Sequence, residues 1–408
     1  MSITTPATST WAGPLPSTPE EWVARAEAVA TQLAVDAVER DRANATPVAE
    51  VRLLKDSGLV TLLGPVEHGG GGQDWTTANR VIRAISAGDG SIGQLIGYHY
   101  LWFWAVRLVG TPEQIEAVEQ QAVENQWFFG GAVNPRDSDL VITEVDDELV
   151  YNGKKSFSTG GRVSDVTVLE GVLEGTDNHI FAIVPTAQEG IRFLGDWDNL
   201  GQRLTESGGV EIVDVHVPWE AAAGHVDRVF RPRIYNTLNV PLIQLIFANI
   251  YVGIAQGALS TATTYTRDKT RAWPYATDVK SSAQEEFYIL ETYGDLQSKL
   301  WAAEAITERA AVLIERINAH ADSVTARERG EAAVLIAAAK QVAIDTGLEV
   351  TNRIFEVTGA RATANSVGLD VFWRNIRTHS LHDPVAHKRA EVGRHTLLGE
   401  LPEPTWYT

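Results

Sequence analysis

The stretch Val141-Ile142-Thr143-Glu144-Val145-Asp146-Asp147-Glu148-Leu149-Val150-Tyr151-Asn152-Gly153-Lys154-Lys155-Ser156-Phe157-Ser158 decides the fold. Val141 to Val145 and Leu149 to Ser158 run at the two-residue period of strands, and Asp146-Asp147-Glu148 between them is a turn signal, so the stretch predicts a β-hairpin. Val166 to Leu173, Ile180 to Val184 and Val210 to Val217 continue the strand period. On both sides the period is helical. We therefore expect an N-terminal α-helical domain over residues 1–125, a middle β domain over 126–219 and a C-terminal helical bundle over 220–408. The class is α+β, mainly α.

Upstream, Thr18 with Glu21 has the spacing of a capping box before a run of apolar residues three and four apart. A short helix is expected from Pro47 to Gly58, another near Thr76 to Ala87, and a strongly apolar one from Ile92 to Val109. The glycines at 69–72 follow no strand, so they read as a turn and not as a dinucleotide fingerprint. Downstream, helices are expected over Val240 to Thr266, Ala283 to Ala319 and Ala326 to Thr358, with a shorter pair after them. Long helices with short connections make a bundle.

Composition narrows the partners. A net charge of −19 repels phosphate backbones and anionic membrane surfaces, so no nucleic acid and no membrane is expected as partner. The absence of cysteine excludes disulfides, thiolate metal sites and a cysteine nucleophile, and permits a cytoplasmic location. Met1 to Pro19 lacks the basic and apolar regions of a signal peptide. The longest apolar stretch, Val240 to Ile254, is interrupted by Gln244, Asn249 and Gly253 and falls short of the ~20 residues of a membrane helix.

Four of the ten histidines lie near the C-terminus, at 379, 382, 387 and 395. Asp383 precedes Pro384 and should begin a break, with a new helix opening at the proline. His379 and His382 then stand at a helix-to-helix joint, where an imidazole can hold or release one proton. The same side chains would serve as buried histidines bonded to backbone or, with Asp383 and His387, as metal ligands. His387 and His395 read as helix-surface residues. Trp102, Phe103, Trp104, Trp127, Phe128 and Phe129 read equally as core or as walls of a flat pocket.

Several segments resemble the acyl-CoA dehydrogenase fold: Leu59 to Gly70, Asp89-Gly90-Ser91, Asn152 to Phe157, and Leu200-Gly201-Gln202-Arg203 through Val215 to Pro218. Gln244 to Leu259 and Phe372 to Pro384 resemble the flavin-dependent monooxygenase branch more closely, and within it the dibenzothiophene monooxygenase (desulfurisation enzyme C) family. That resemblance implies a helical domain, a β domain and a four-helix bundle, assembled as a homotetramer. It also implies a two-component monooxygenase using O2 and FMN, reduced by a separate NAD(P)H-dependent flavin reductase. FMN is favoured over FAD because the chain has no nucleotide-binding strand-turn-helix. The glutamate base of the dehydrogenases is missing, since no Glu falls between Glu220 and Glu285 or between Glu356 and Glu391.

By the same resemblance His382 hydrogen-bonds a flavin C4a-hydroperoxide, His379 supports it, and Tyr98 and Thr159 line the catalytic pocket. Arg271 and Arg361 bind the flavin phosphate, with Trp273 and Trp197 as further cofactor-binding residues. No metal is implied. Tyr98 would otherwise be core, and the two arginines surface salt-bridge partners. The chain departs from the family at Gln94, where a histidine is expected, at Gly131, where an asparagine is expected, and in Val133-Asn134-Pro135-Arg136-Asp137. A small, aromatic organosulfur substrate such as dibenzothiophene is the first expectation; an amine or an aromatic carbon would suit the same chemistry. Two readings compete with it: an acyl-CoA dehydrogenase with a displaced base, and a scaffold that has lost the flavin.

Overall fold

A computed structural model describes residue 11 and residues 13–134 and 140–405. Six helices come first: α1 (Pro19–Ala34), α2 (Ala37–Ala43), α3 (Val48–Asp56), α4 (Trp75–Gly88), α5 (Gly90–Val109) and α6 (Pro112–Glu124). The expected capping box opens α1, the Glu21 N–H donating to Thr18 Oγ1 at 3.2 Å and the Thr18 N–H to Glu21 Oε2 at 3.2 Å. A second box, Thr111 with Gln114, opens α6, which the sequence reading did not assign. Of residues 69–72, Gly69 closes the expected turn at φ 88° and the other three continue as an irregular loop.

The strands are β1 (Phe129–Ala132), β2 (Leu140–Val145), β3 (Glu148–Lys155), β4 (Val166–Leu173), β5 (His179–Pro185), β6 (Ile191–Phe193) and β7 (Val210–Pro218), with a small ribbon of β8 (His225–Val226) and β9 (Val229–Phe230). Asp146 and Asp147 both have positive φ, 48° and 68°, and close the predicted β2–β3 hairpin. β1 and β2 both pair parallel to β4, β1 along its first residues and β2 along its last, while β5 pairs antiparallel to it. Pro135, Arg136 and Asp137, flagged above as a departure from the family, lie outside the described residues. The sheet keeps its own apolar core, from Leu140, Leu149 and Tyr151 to Ile212.

The helices that follow are α7 (Asn239–Lys269), α8 (Phe287–Asn318), α9 (Ala326–Thr358), α10 (Asp370–His379) and α11 (Val385–Leu398). Contrary to the sequence expectation, the helical run Ile234–Lys269 is long and apolar enough to cross a membrane. Gln244 and Asn249 do not interrupt it. They are buried, and Asn249 Nδ2 donates to Asn79 Oδ1 on α4 at 2.9 Å. Since 83% of its most apolar window is covered by the rest of the protein, α7 is the central core helix. It lies backbone to backbone on α4: a Cβ at Gly253 would stand 2.3 Å from the Arg83 carbonyl oxygen, and one at Gly257 2.2 Å from that of Ala87. One continuous core therefore runs from Trp22 through α4, α5 and α7 to Ile376.

His99 ties this core to the sheet. Its Nδ1 accepts the Phe129 N–H at 3.1 Å, its Nε2–H donates to the Val60 carbonyl at 2.8 Å, and its ring stacks on Phe128 at 5.0 Å. Burial lowers its pKa to about 4, so it is neutral in the fold. In the unfolded chain the same imidazole takes up a proton below about pH 6.5, so its contribution to stability is lost as pH falls from there toward 4. Denaturant titrations should show this one residue costing about 2 kcal/mol between pH 7.5 and pH 5. His99→Gln should flatten the dependence by that amount; an unchanged slope would remove His99 as its source.

Candidate active site

His379 ends α10 and is buried. Tyr251 of α7 places its hydroxyl 2.8 Å from Nδ1, and Tyr98 of α5 places its hydroxyl 3.5 Å from Nε2. Phe247, one helical turn before Tyr251, meets the imidazole edge-on at 4.5 Å between centroids. Burial above all, with the neighbouring His382 imidazole and the Lys340 ammonium, drives the His379 pKa well below its ordinary value, and burial raises those of both tyrosines. All three groups are thus neutral around pH 7. A neutral imidazole has one N–H, so it donates to one phenol and accepts from the other.

His382 follows in the turn that Pro384 was expected to impose, its N–H bonded to the His379 carbonyl at 3.0 Å. It is half exposed, its ring 4.8 Å from Phe247 and 6.2 Å from His379. Its Nδ1 lies 3.3 Å from Asp383 Oδ1, which also receives the buried Lys340 ammonium of α9. Burial works against the Asp383 carboxylate, yet the hydrogen bond from His382 and the Lys340 charge hold its pKa well below the usual range. Among the described residues no group of three or more carboxylates or imidazoles is gathered to hold a metal. His387 lies exposed on α11.

Two side chains tie α10 down. The Asn375 Oδ1 accepts the Gln202 N–H at 2.7 Å, and Arg374 pairs with Asp41 of α2 at 2.6 Å while donating to the Leu200 carbonyl at 2.8 Å. Gly201 allows this approach, since a Cβ there would stand 2.2 Å from the Arg374 carbonyl oxygen. Three parts of the chain, α2, the loop before β7 and α10, thereby converge on the joint.

Thr159 lies on the sheet side, buried, its hydroxyl 2.8 Å from that of Ser207 and 3.4 Å from Gln94 Nε2. Trp197 donates its indole N–H to the Gln202 carbonyl at 2.7 Å and meets Phe157 edge-on. Trp102 spans the two halves: it is edge-on to Tyr98 at 6.4 Å, and its indole fills the place a Cβ at Gly131 would take. Ser158 Oγ, Gln94 Oε1 and both polar atoms of the Gln202 amide are buried without a partner. Such orphaned donors and acceptors call for a polar ligand. The edge of a flavin ring, with carbonyl oxygens and one N–H, fits them.

Arg271, Arg361 and Trp273 are not part of this cluster. The loop after α7 and the turn after α9 adjoin each other, with Thr270 Oγ1 donating to the Thr358 carbonyl at 3.2 Å. From Tyr251 to Thr270 is roughly 28 Å along α7 at ~1.5 Å per residue, so within one chain the arginines cannot share a flavin with His379. Both are exposed, as is Trp273, whose N–H donates to Glu286 Oε1 at 2.8 Å. Lys340, Phe247, Tyr251 and Asn375 were assigned no role from sequence. Lys340 had a signal: it falls in register with Ile336, Ala337, Ala343 and Ile344, a charge on the apolar face of an alanine-rich helix.

A helical layer, a sheet and a long-helix bundle meeting at a buried histidine, with the nearby Asp383 carboxylate tied to Lys340, define a flavin-dependent monooxygenase of acyl-CoA dehydrogenase fold. The chain belongs to the acyl-CoA dehydrogenase family, the N-terminal domain model matching residues 21–124 and the C-terminal domain model residues 245–386. It is 39% identical to the dibenzothiophene monooxygenase of Rhodococcus erythropolis over 395 residues, 94% of each chain. It is 37% identical to a probable FMNH2-dependent monooxygenase, SfnC, of Pseudomonas putida, over 97% of this chain and 99% of that one. The crystal structure of FMN-bound TdsC from Paenibacillus superposes with a TM-score of 0.89 at 35% identity, covering 95% of this chain and all of that one.

Gly201→Ala should push α10 off the Gln202 loop. We expect a stability loss of about 1–3 kcal/mol, read by thermal unfolding, with weakened FMN binding read by fluorescence quenching. Wild-type values for both would show that the joint is not held there.

Proposed function

We propose that this chain is the oxygenase of a two-component system: it takes FMN reduced by a separate NAD(P)H-dependent reductase and uses O2 to oxygenate a small organosulfur compound. The observation that carries the reading is the neutral His379 set between two phenols, with His382 at the rim and the neighbouring Asp383 carboxylate engaged by Lys340. Relatives named for dibenzothiophene and for FMNH2 dependence support it. Gln94, Ser158, Thr159 and Gln202 would hold the ring. Bound reduced flavin supplies the electrons that activate O2 and deliver one oxygen atom to the substrate.

The chain's own part is to place a proton and keep water out. Tyr98, Tyr251 and His379, all neutral and mutually bonded, offer a hydrogen-bond wall without a charge. His382 is the one imidazole of the pair with access to solvent, so it is the group that exchanges a proton with the reaction. Phe247, packed on Tyr98 and His382, and Trp102, edge-on to Tyr98, cover the apolar sides. A dehydrogenase reading lacks its base here, since Asp383 is taken up by Lys340 and His382.

The assembly we infer is a homotetramer in the cytoplasm, where NAD(P)H can keep flavin reduced. Phe287, Leu290, Gly294 and Trp301 form an exposed stripe along α8 at spacings of three, four and seven residues, suited to pack on a second copy. A second copy would also let Arg271 and Arg361 reach a flavin phosphate from a neighbouring chain.

Loaded anaerobically with reduced FMN and mixed with O2 and dibenzothiophene, the protein should form sulfoxide or sulfone carrying an atom of labelled oxygen. Bleaching of bound oxidised flavin by an acyl-CoA, with no oxygenated product, would favour the dehydrogenase instead. His382→Ala should fold normally yet divert most of the consumed O2 to hydrogen peroxide; unchanged coupling would remove His382 from the mechanism. Trp301→Glu should reduce the mass measured by light scattering, and an unchanged mass would free the α8 stripe from any interface.

A further inference from the structure

We propose that Lys340 and Asp383 are positioning residues that hold His382 as its Nδ1–H tautomer and leave Nε2 as the nitrogen that meets the reaction. The inference rests on the functional reading above for its purpose, but its geometry stands alone. The Lys340 side chain is 1% exposed, its ammonium lies 5.5 Å over the Phe247 ring, and its ion-pair partner is Asp383 Oδ1. A buried ammonium without a partner is costly, so the pair holds the carboxylate in one place. The same oxygen faces His382 Nδ1 at 3.3 Å. An ionised carboxylate only accepts, so the proton in that hydrogen bond belongs to Nδ1.

The other neighbours do not compete for this role. His379 is bonded to Tyr251 and Tyr98, Lys388 pairs with Glu391, and Arg377 donates to Ser380 Oγ. His382 Nε2 has no protein partner among the described residues and is the nitrogen left to accept or return a proton. The arrangement runs from the bundle interior to the rim: α9 supplies the cation, the residue before Pro384 the anion, and the turn the imidazole. A histidine oriented by a carboxylate through its other nitrogen is a recurrent way to fix which nitrogen reacts.

The test is magic-angle-spinning NMR of sedimented, flavin-free protein labelled with 15N-histidine, above the imidazole titration, with His382 assigned by its loss in His382→Gln. We expect the wild type and Lys340→Arg to show a protonated Nδ1, and Lys340→Met to shift toward protonated Nε2. In the reconstituted enzyme, Lys340→Met should raise the ratio of hydrogen peroxide to product by roughly tenfold or more, and Lys340→Arg should restore it. A wild-type His382 protonated at Nε2 overturns the proposal even if Lys340→Met fails to fold, as does a folded Lys340→Met with the tautomer unchanged. Should the tautomer shift as expected in a protein that oxygenates no organosulfur compound, the positioning role is supported and the functional reading is what fails.

Discussion

The contact on which the rest depends is that of α7 on α4. Gly253 and Gly257 carry no side chain, so the two helices meet backbone to backbone, and the Asn249 to Asn79 hydrogen bond fixes their register. Phe247 and Tyr251 stand on the same α7. Their distance from Tyr98 of α5 therefore follows from that packing, and with it the width of the slot into which His379 fits. Close-packed interiors do not give by fractions of an ångström without cost, so this one crossing sets the site.

Into that slot the chain delivers neutral polar groups and pairs the charges beside it with each other. His379, Tyr98 and Tyr251 are buried deeply enough that desolvation fixes each in its uncharged form. The ionic members, Lys340 and Asp383, satisfy each other beside Phe247, and His382 is the more exposed of the two imidazoles. Oxygen chemistry on sulfur asks for that division, a dry wall that will not take a proton by itself and one group that can. A carboxylate free to abstract a proton would serve a dehydrogenase, and the pairing of Asp383 with Lys340 removes it.

Much of this was legible in the residues. The helix, strand and helix order, the hairpin at Asp146-Asp147, the break at Asp383 and the capping box at Thr18 all rest on local chemistry and recur in the structure within a few residues. The short elements are not legible there: β1, β6 and the β8–β9 ribbon are too brief to show a period, and α6 is announced only by its cap, Thr111 with Gln114. α7 stands where the helical period over Val240 to Thr266 places it; its apolar length exceeds the expectation because Gln244 and Asn249 do not interrupt the run but are buried within the helix.

The sequence by itself determined where the chain turns and which side chains carry chemistry, because caps, turns and periodicity act over a few residues, and it determined that the dehydrogenase glutamate is absent. Only the tertiary structure decided which of the named residues meet. It joined Tyr98, Tyr251, Lys340 and His379 from four helices, and it set Arg271 and Arg361 at the far end of α7. Those distances follow from how helices cross, and helix crossing is a property of faces packed together that no local stretch contains.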